Sequence, residues 1–92
     1  MPKAVKSLET PEAQKALTEA LLGQYVRARR TQLGLSIEDA AAFCGISKDT
    51  LMNLEHGNEK VQLGSTLQVC KGLGIQLQIV SWEDEDKNDG WV

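Results

Sequence analysis

The chain has 92 residues, of which 41% are hydrophobic and 25% charged, the balance of a single soluble globular domain rather than a disordered or membrane-embedded one. Two cysteines, Cys44 and Cys70, and one histidine, His56, cannot supply a four-ligand metal site or a disulfide framework. The formal charge of −3 is uneven: residues 81–92 hold five acids and one base, a local −4, which leaves +1 for residues 1–80.

No metal or cofactor is expected from such a composition, and no nucleophile triad, carboxylate pair or phosphate-cradling glycine loop can be assembled, so an enzyme is not expected either. No apolar run approaches the ~20 residues of a membrane span, and Lys3 and Lys6 are not followed by a hydrophobic stretch, so a cytoplasmic, nucleoid-associated protein is expected. A domain this small buries only ~60–65% of the surface its unfolded chain exposes, which favours self-association.

Residues 1–9 show no periodicity and are expected to be flexible. Thr10-Pro11-Glu12 reads as a helix start, with Thr10 as cap, Pro11 at the first helical position and Glu12 at the positive end of the dipole. Leu17, Leu21, Tyr25 and Ala28 then form one apolar stripe, weakened at Gly23, and the helix closes near Leu33-Gly34. A second start, Ser36 followed by Asp39, opens a short helix with Ile37, Ala40, Ala41 and Cys44 on one face.

Gly45-Ile46 interrupts the pattern, and Ser47-Lys48-Asp49-Thr50 opens a third helix. Its buried face is expected to be Thr50, Leu51 and Leu54, and its wet face Lys48, Asp49, Met52, Asn53 and His56. Gly57-Asn58 stops it. Leu63, Leu67, Cys70 and Leu73 keep one face through a fourth helix that begins near Gly64-Ser65 and ends at Gly72 and Gly74.

Ile75 to Val80 alternates apolar and polar residues, the signature of a strand. A lone strand leaves its backbone groups unpaired, so its simplest partner is the same strand of a second copy; the alternative is an extended segment packed on the helices. Ile75, Leu77, Ile79, Val80 and Trp82 are the candidate dimerisation residues.

The second and third helices with the Gly45 turn make a helix-turn-helix unit. The string Arg30-Thr31-Gln32-Leu33-Gly34-Leu35-Ser36, then Ala40-Ala41, Cys44-Gly45-Ile46-Ser47, Leu51, Leu54-Glu55-His56-Gly57 and Leu67 to Gly74 resembles the phage-repressor (Cro/C1, XRE) helix-turn-helix family. The added strand and the Trp91 tail narrow the likeness to HipB-type antitoxins, which pair such strands across a dimer and bind a HipA-type kinase toxin.

This resemblance implies a mainly α fold of four to five helices, similar to lambda repressor, with a C-terminal strand pairing across a homodimer. It places Lys48, Asp49, Met52 and Asn53 at base edges of double-stranded operator DNA, and makes Ser36, Ser47, His56 and Lys60 phosphate contacts. Arg27 and Arg29 are further phosphate candidates, or else complement the dipole at their helix end. Arg30 and Glu55 match positions that often form a structural ion pair. Two residues depart from the pattern: Ile37 stands where the family commonly has a phosphate-anchoring Gln, and Asp49 either accepts from a cytosine amino group or stabilises its own helix dipole.

The acidic segment 83–92 is expected to be disordered when free, with Trp91 either an anchor for the partner or a side chain that folds back. The expected layout is therefore a flexible 1–9, a DNA-binding 10–74, a dimerisation strand 75–82 and the tail 83–92. The expected function is an autorepressing antitoxin; the alternatives are a stand-alone phage-type repressor and a protein-interaction module that has lost DNA binding.

Overall fold

A computed structural model of the chain describes residues 5–11 and 16–81. Glu12, Trp82 and the tail 83–92 with Trp91, all of which carry sequence expectations, lie outside the described residues. Among the described residues four helices follow one another: α1 (Glu19–Gln32), α2 (Ile37–Cys44), α3 (Lys48–Glu55) and α4 (Leu63–Leu73).

Helix α1 begins later than the Thr10-Pro11 signal suggests. Thr10 and Pro11 stand outside any helix, and Thr18 is the cap, its hydroxyl accepting the Leu21 N–H at 3.1 Å with Glu19 at the favourable first position. The Thr10 hydroxyl is used elsewhere: it accepts from the Gln32 side-chain amide at 2.9 Å. The same amide donates to the Leu8 carbonyl, and the Leu8 N–H donates to the Thr31 hydroxyl at 3.0 Å. The segment around Leu8 is thus tied to the last turn of α1.

The core is built from all four helices: Leu22 and Val26 of α1, Ala40, Ala41 and Cys44 of α2, Leu51 and Leu54 of α3, and Val69, Cys70 and Leu73 of α4. Leu35, Ile37, Ile46, Val61 and Ile75 close its edges. In α2 and α3 the buried residues, Ala40, Ala41, Cys44, Leu51 and Leu54, lie on the faces the spacing predicts, while Ile37 and Thr50 at their edges are half-buried. In α1 and α4 they are turned. Leu17 is exposed and Leu21 and Tyr25 are half-buried, whereas Leu22, Gly23, Val26, Ala28 and Thr31 face inward. Leu63 and Leu67 are exposed, whereas Thr66 and Val69 join Cys70 and Leu73 inside.

The reason is contact, not hydrophobicity. Gly23 must face α3, because a Cβ there would stand 2.6 Å from the carbonyl oxygens of both Leu54 and Glu55. With that glycine as the point of closest approach, α1 presents the residues beside it. Thr31 and Thr66 can be buried because each hydroxyl donates to a carbonyl of its own helix or cap, Ala28 at 3.0 Å and Gln62 at 3.1 Å.

Residues 75–81 form no strand among the described residues. Ile75 rests against the core, while Ile79 and Val80 are exposed. A strand exists only through pairing, so this segment has no ladder to join within the described chain. No helix among the described residues is long and apolar enough to cross a membrane.

Candidate nucleic-acid interface

The helix pair α2 and α3 is set by its turn. Gly45 ends α2 in the left-handed conformation, φ 76° and ψ 31°, which lets the Gly45 and Ile46 N–H groups return to the Ala42 and Ala41 carbonyls. Ile46 fills the inside of the angle. The Gln68 side chain of α4 reaches across to donate to the carbonyls of Cys44 at 2.8 Å and Gly45 at 3.3 Å, so the turn is satisfied and held from a third helix.

Both helices start on a capping serine. Ser36 accepts the Asp39 N–H and Ser47 accepts the Thr50 N–H, each at 3.1 Å. The Ser47 hydroxyl proton goes to the Thr50 hydroxyl at 2.8 Å, so any anion reaching the start of α3 would meet its backbone N–H groups rather than the Ser47 proton.

Helix α3 is fixed from behind. Leu51 and Leu54 are buried, and at its end Glu55 receives two hydrogen bonds from Arg30 of α1, Nε at 2.6 Å and one terminal nitrogen at 3.1 Å. The other terminal nitrogen of Arg30 donates to the Leu35 carbonyl at 2.8 Å. The expected Arg30 and Glu55 pair is therefore present, and it ties α1, the α1–α2 connection and the end of α3 together at low exposure, 11% and 6% for the two side chains.

The outward side of α3 carries Lys48, Asp49, Met52, Asn53 and His56, all exposed. A base edge or a phosphate brought to this side would meet a cation, a carboxylate, a thioether and an amide along two turns. His56 Nδ1 donates to the Met52 carbonyl at 2.8 Å, which leaves Nε2 able to donate to a phosphate only when the ring is an imidazolium. Beyond α3, Asn53 and Lys60 line one polar cleft together with Thr50, Asn58, Gln62 and Ser65. The Lys60 N–H is held by the Asn58 side chain at 2.8 Å. Thr50 and Ser65 are additions to the candidate set; their small hydroxyls give no periodic signal in the sequence.

The two arginine candidates of α1 differ from each other. Arg29 points its Nε at the Leu73 carbonyl, 2.8 Å away, joining α1 to the end of α4 rather than to α2 or α3. Arg27 is exposed on α1. A further residue, missed in the sequence, adjoins this side without being part of α3: Glu38 in the first turn of α2 pairs with Lys48 at 2.9 Å. The Lys48 ammonium holds its carboxyl below the usual carboxylate range. Ile37, where the family commonly has Gln, is half-buried against the core.

These features meet known proteins at three points. The profile of the helix-turn-helix domain family matches residues 21–78. An uncharacterized HTH-type transcriptional regulator, y4mF of Sinorhizobium fredii, is 30% identical over 69 residues, covering 75% of this chain and 91% of that protein. Among solved structures, the HipA-HipB-O2-O3 complex contains a chain that superposes with a TM-score of 0.67 at 20% identity, covering 77% of this chain and all of that one. The HipB-O4 20mer complex gives 0.66 at 20% identity with the same coverage. The capped, turn-locked α2 and α3 are the defining unit of that fold, and the chain belongs to the helix-turn-helix family of DNA-binding transcriptional regulators.

Proposed function

We propose that the chain is a dimeric autorepressor and antitoxin, which reads a palindromic operator and binds a HipA-type kinase toxin. The observation that carries the DNA half is the outward side of α3: five polar or soft side chains exposed on a helix whose other side is locked by Leu51, Leu54 and the Arg30–Glu55 pair. A rigid helix with a wet, varied face suits the major groove.

In this reading Lys48 donates to guanine, Asn53 pairs with adenine or reaches a phosphate, Met52 packs on a thymine methyl, and Asp49 accepts from cytosine. Ser36, the α3 N–H groups beside Ser47, His56 as imidazolium, and Lys60 take phosphates, and Arg27 joins them from α1. Arg29 is assigned to the fold, since its guanidinium is engaged at α4.

The apolar residues left outside the core support the dimer. Leu17, just before α1, and Leu21 and Tyr25 of α1 line a groove with Ile75 and Leu77, and Ile79 and Val80, next along the chain, are exposed. A second copy, pairing residues 75–80 with its own, would cover that surface and supply the missing ladder. Two copies related in this way would place two α3 helices on half-sites about 34 Å apart or a multiple of that. The antitoxin half rests on the likeness in fold to HipB, solved in complex with HipA.

The test is fluorescence anisotropy on duplex DNA from immediately upstream of the gene, in a salt series, beside Lys48→Ala and Asn53→Ala. Tight binding with a steep salt slope, and a loss of about 1–3 kcal/mol of discrimination for each substitution, is expected. Binding no tighter than to scrambled DNA refutes the repressor. For the partner, a neighbouring kinase-like protein should co-purify with the full chain and not with the chain lacking residues 89–92; an unaffected complex would remove Trp91 from the interface, and no complex would leave a stand-alone repressor.

A further inference from the structure

Glu38 and Lys48 are the one ion pair that crosses the helix-turn-helix on its water-facing side among the described residues. Glu38 stands in the first turn of α2 and Lys48 is the first residue of α3. Nζ and Oε2 are 2.9 Å apart, yet the two side chains are 49% and 62% exposed, so the pair is formed but open to exchange. It lies beside Asp49, at the point where a base edge would be read.

An ammonium already on a carboxylate attracts a passing phosphate weakly, because its charge is locally cancelled. An ammonium has three N–H groups, so acceptors placed at a fixed position by the rest of a docked helix can receive one while the carboxylate keeps another. We propose that Glu38 is a specificity-determining positioning residue, which holds the Lys48 ammonium off the phosphates of arbitrary DNA and presents it, still paired, to the base edge of a matched site. The inference rests on the DNA-reading proposal above and adds to it a residue that makes no base contact itself.

The consequence is asymmetric. On unmatched DNA Lys48 stays on Glu38, and the complex lacks one cation–phosphate contact. On the operator Lys48 donates to a base while still paired with Glu38, so no pair is broken on binding and Glu38 changes little there. Removing the Glu38 charge should therefore free Lys48 to add a phosphate contact only on unmatched DNA. An exposed pair of this kind is worth about a twofold to fivefold change, and one added phosphate contact steepens the salt slope by about 0.9.

The experiment compares wild type, Glu38→Gln, Lys48→Met and the double variant on the upstream duplex and on a scrambled duplex of equal length, across salt concentrations. Circular dichroism melts confirm that each variant is folded. The expected result is that Glu38→Gln tightens scrambled DNA about twofold to fivefold with a steeper salt slope and leaves the upstream duplex nearly unchanged. In the Lys48→Met background the same substitution should leave the ratio of the two affinities where it was.

Equal tightening on both duplexes, or a gain on scrambled DNA that persists without Lys48, would mean that Glu38 acts only as a repelling charge and would overturn the proposal. A changed melting temperature with an unchanged ratio would reduce it to a helix-dipole residue and overturn it too. A wild type that does not prefer the upstream duplex fails earlier, before any substitution is compared, and takes the DNA-reading proposal down with it.

Discussion

The Arg30–Glu55 pair offers the sharpest energetic test of how α3 is held. Its side chains are 11% and 6% exposed, and Glu55 accepts two hydrogen bonds while Arg30 makes a third to Leu35. Removing one member of a buried pair typically costs ~3–5 kcal/mol, because the other charge is left without its partner. Here the orphaned guanidinium would keep the Leu35 carbonyl, and an orphaned carboxylate could turn toward water at the end of α3, so about 2–4 kcal/mol is expected for Glu55→Gln or Arg30→Met. A domain of 92 residues is stable by only ~5–14 kcal/mol, so either substitution removes a large share and lowers Tm by roughly 8–30 °C. Urea titrations followed by circular dichroism, at one fixed protein concentration so that any dimer is equally populated, would give the difference at constant m. Arg30→Met combined with Glu55→Leu should cost clearly less than the two single changes added together. If either single variant loses under about 0.5 kcal/mol, or if the double loses their sum, the pair does not hold α3 as argued.

The other predictions concern packing, the thiols and assembly. Gly23→Ala would drive a methyl against two backbone oxygens 2.6 Å away and should destabilise by about 1–3 kcal/mol, whereas Gly64→Ala, with nothing within 4 Å, should be neutral or stabilise by up to ~1 kcal/mol; chemical denaturation of the two variants reads both signs. Burial pushes the Cys44 and Cys70 thiols up, the neighbouring Cys44 adding to the effect at Cys70. The folded state thus disfavours thiolate: this contribution to stability is complete below the unfolded thiol pKa of ~8.5 and is lost as pH rises from there through the raised folded values, so melts at pH 8 and pH 10 should differ, and replacing both cysteines with alanine should shrink the difference. In native protein both thiols should react slowly with a disulfide reagent and quickly in urea; fast native labelling would contradict their burial. Ile79→Asp, at an exposed position of the proposed dimer surface, should convert the sedimenting species to a monomer and weaken operator binding without unfolding the domain; a wild type that is itself monomeric at micromolar concentration refutes the dimer.

Much of the fold was legible because the signals were local. Ser36, Ser47, Gly45 and the residues of α2 and α3 each act within one turn of the chain, and their caps and burial follow the spacing. The errors fall where long-range contact overrides local pattern. Thr10-Pro11 is as good a start as Thr18-Glu19 in sequence, but the Thr10 hydroxyl is taken by Gln32 from the far end of α1. The α1 and α4 stripes were drawn through leucines, yet the faces that turned inward include Gly23, Thr31 and Thr66, which no apolar periodicity counts. A glycine at a helix crossing and a threonine bonded to its own helix are core residues for steric and hydrogen-bonding reasons that only the assembled bundle reveals.

The same division runs through the interface, and it explains why its sharpest detail was invisible. Lys48, Asp49, Met52, Asn53 and His56 could be placed on the wet face because exposure is the complement of the buried Leu51 and Leu54, a property of one helix. Whether a wet residue is free is a property of two. Lys48 is ten residues from Glu38, a separation with no meaning in either helix's period, and only the Gly45 turn folds α2 back so that the first turns of both helices meet. Arg29 makes the reverse case: by position it is a phosphate candidate, but its Nε donates to the Leu73 carbonyl across the bundle. A count of basic residues therefore overstates the donors free to reach DNA, and the useful quantity is the number of cations left uncommitted once the helices have packed. On α3 that number depends on Glu38, so in the proposed operator complex selectivity is set as much by what restrains Lys48 as by what Lys48 reads.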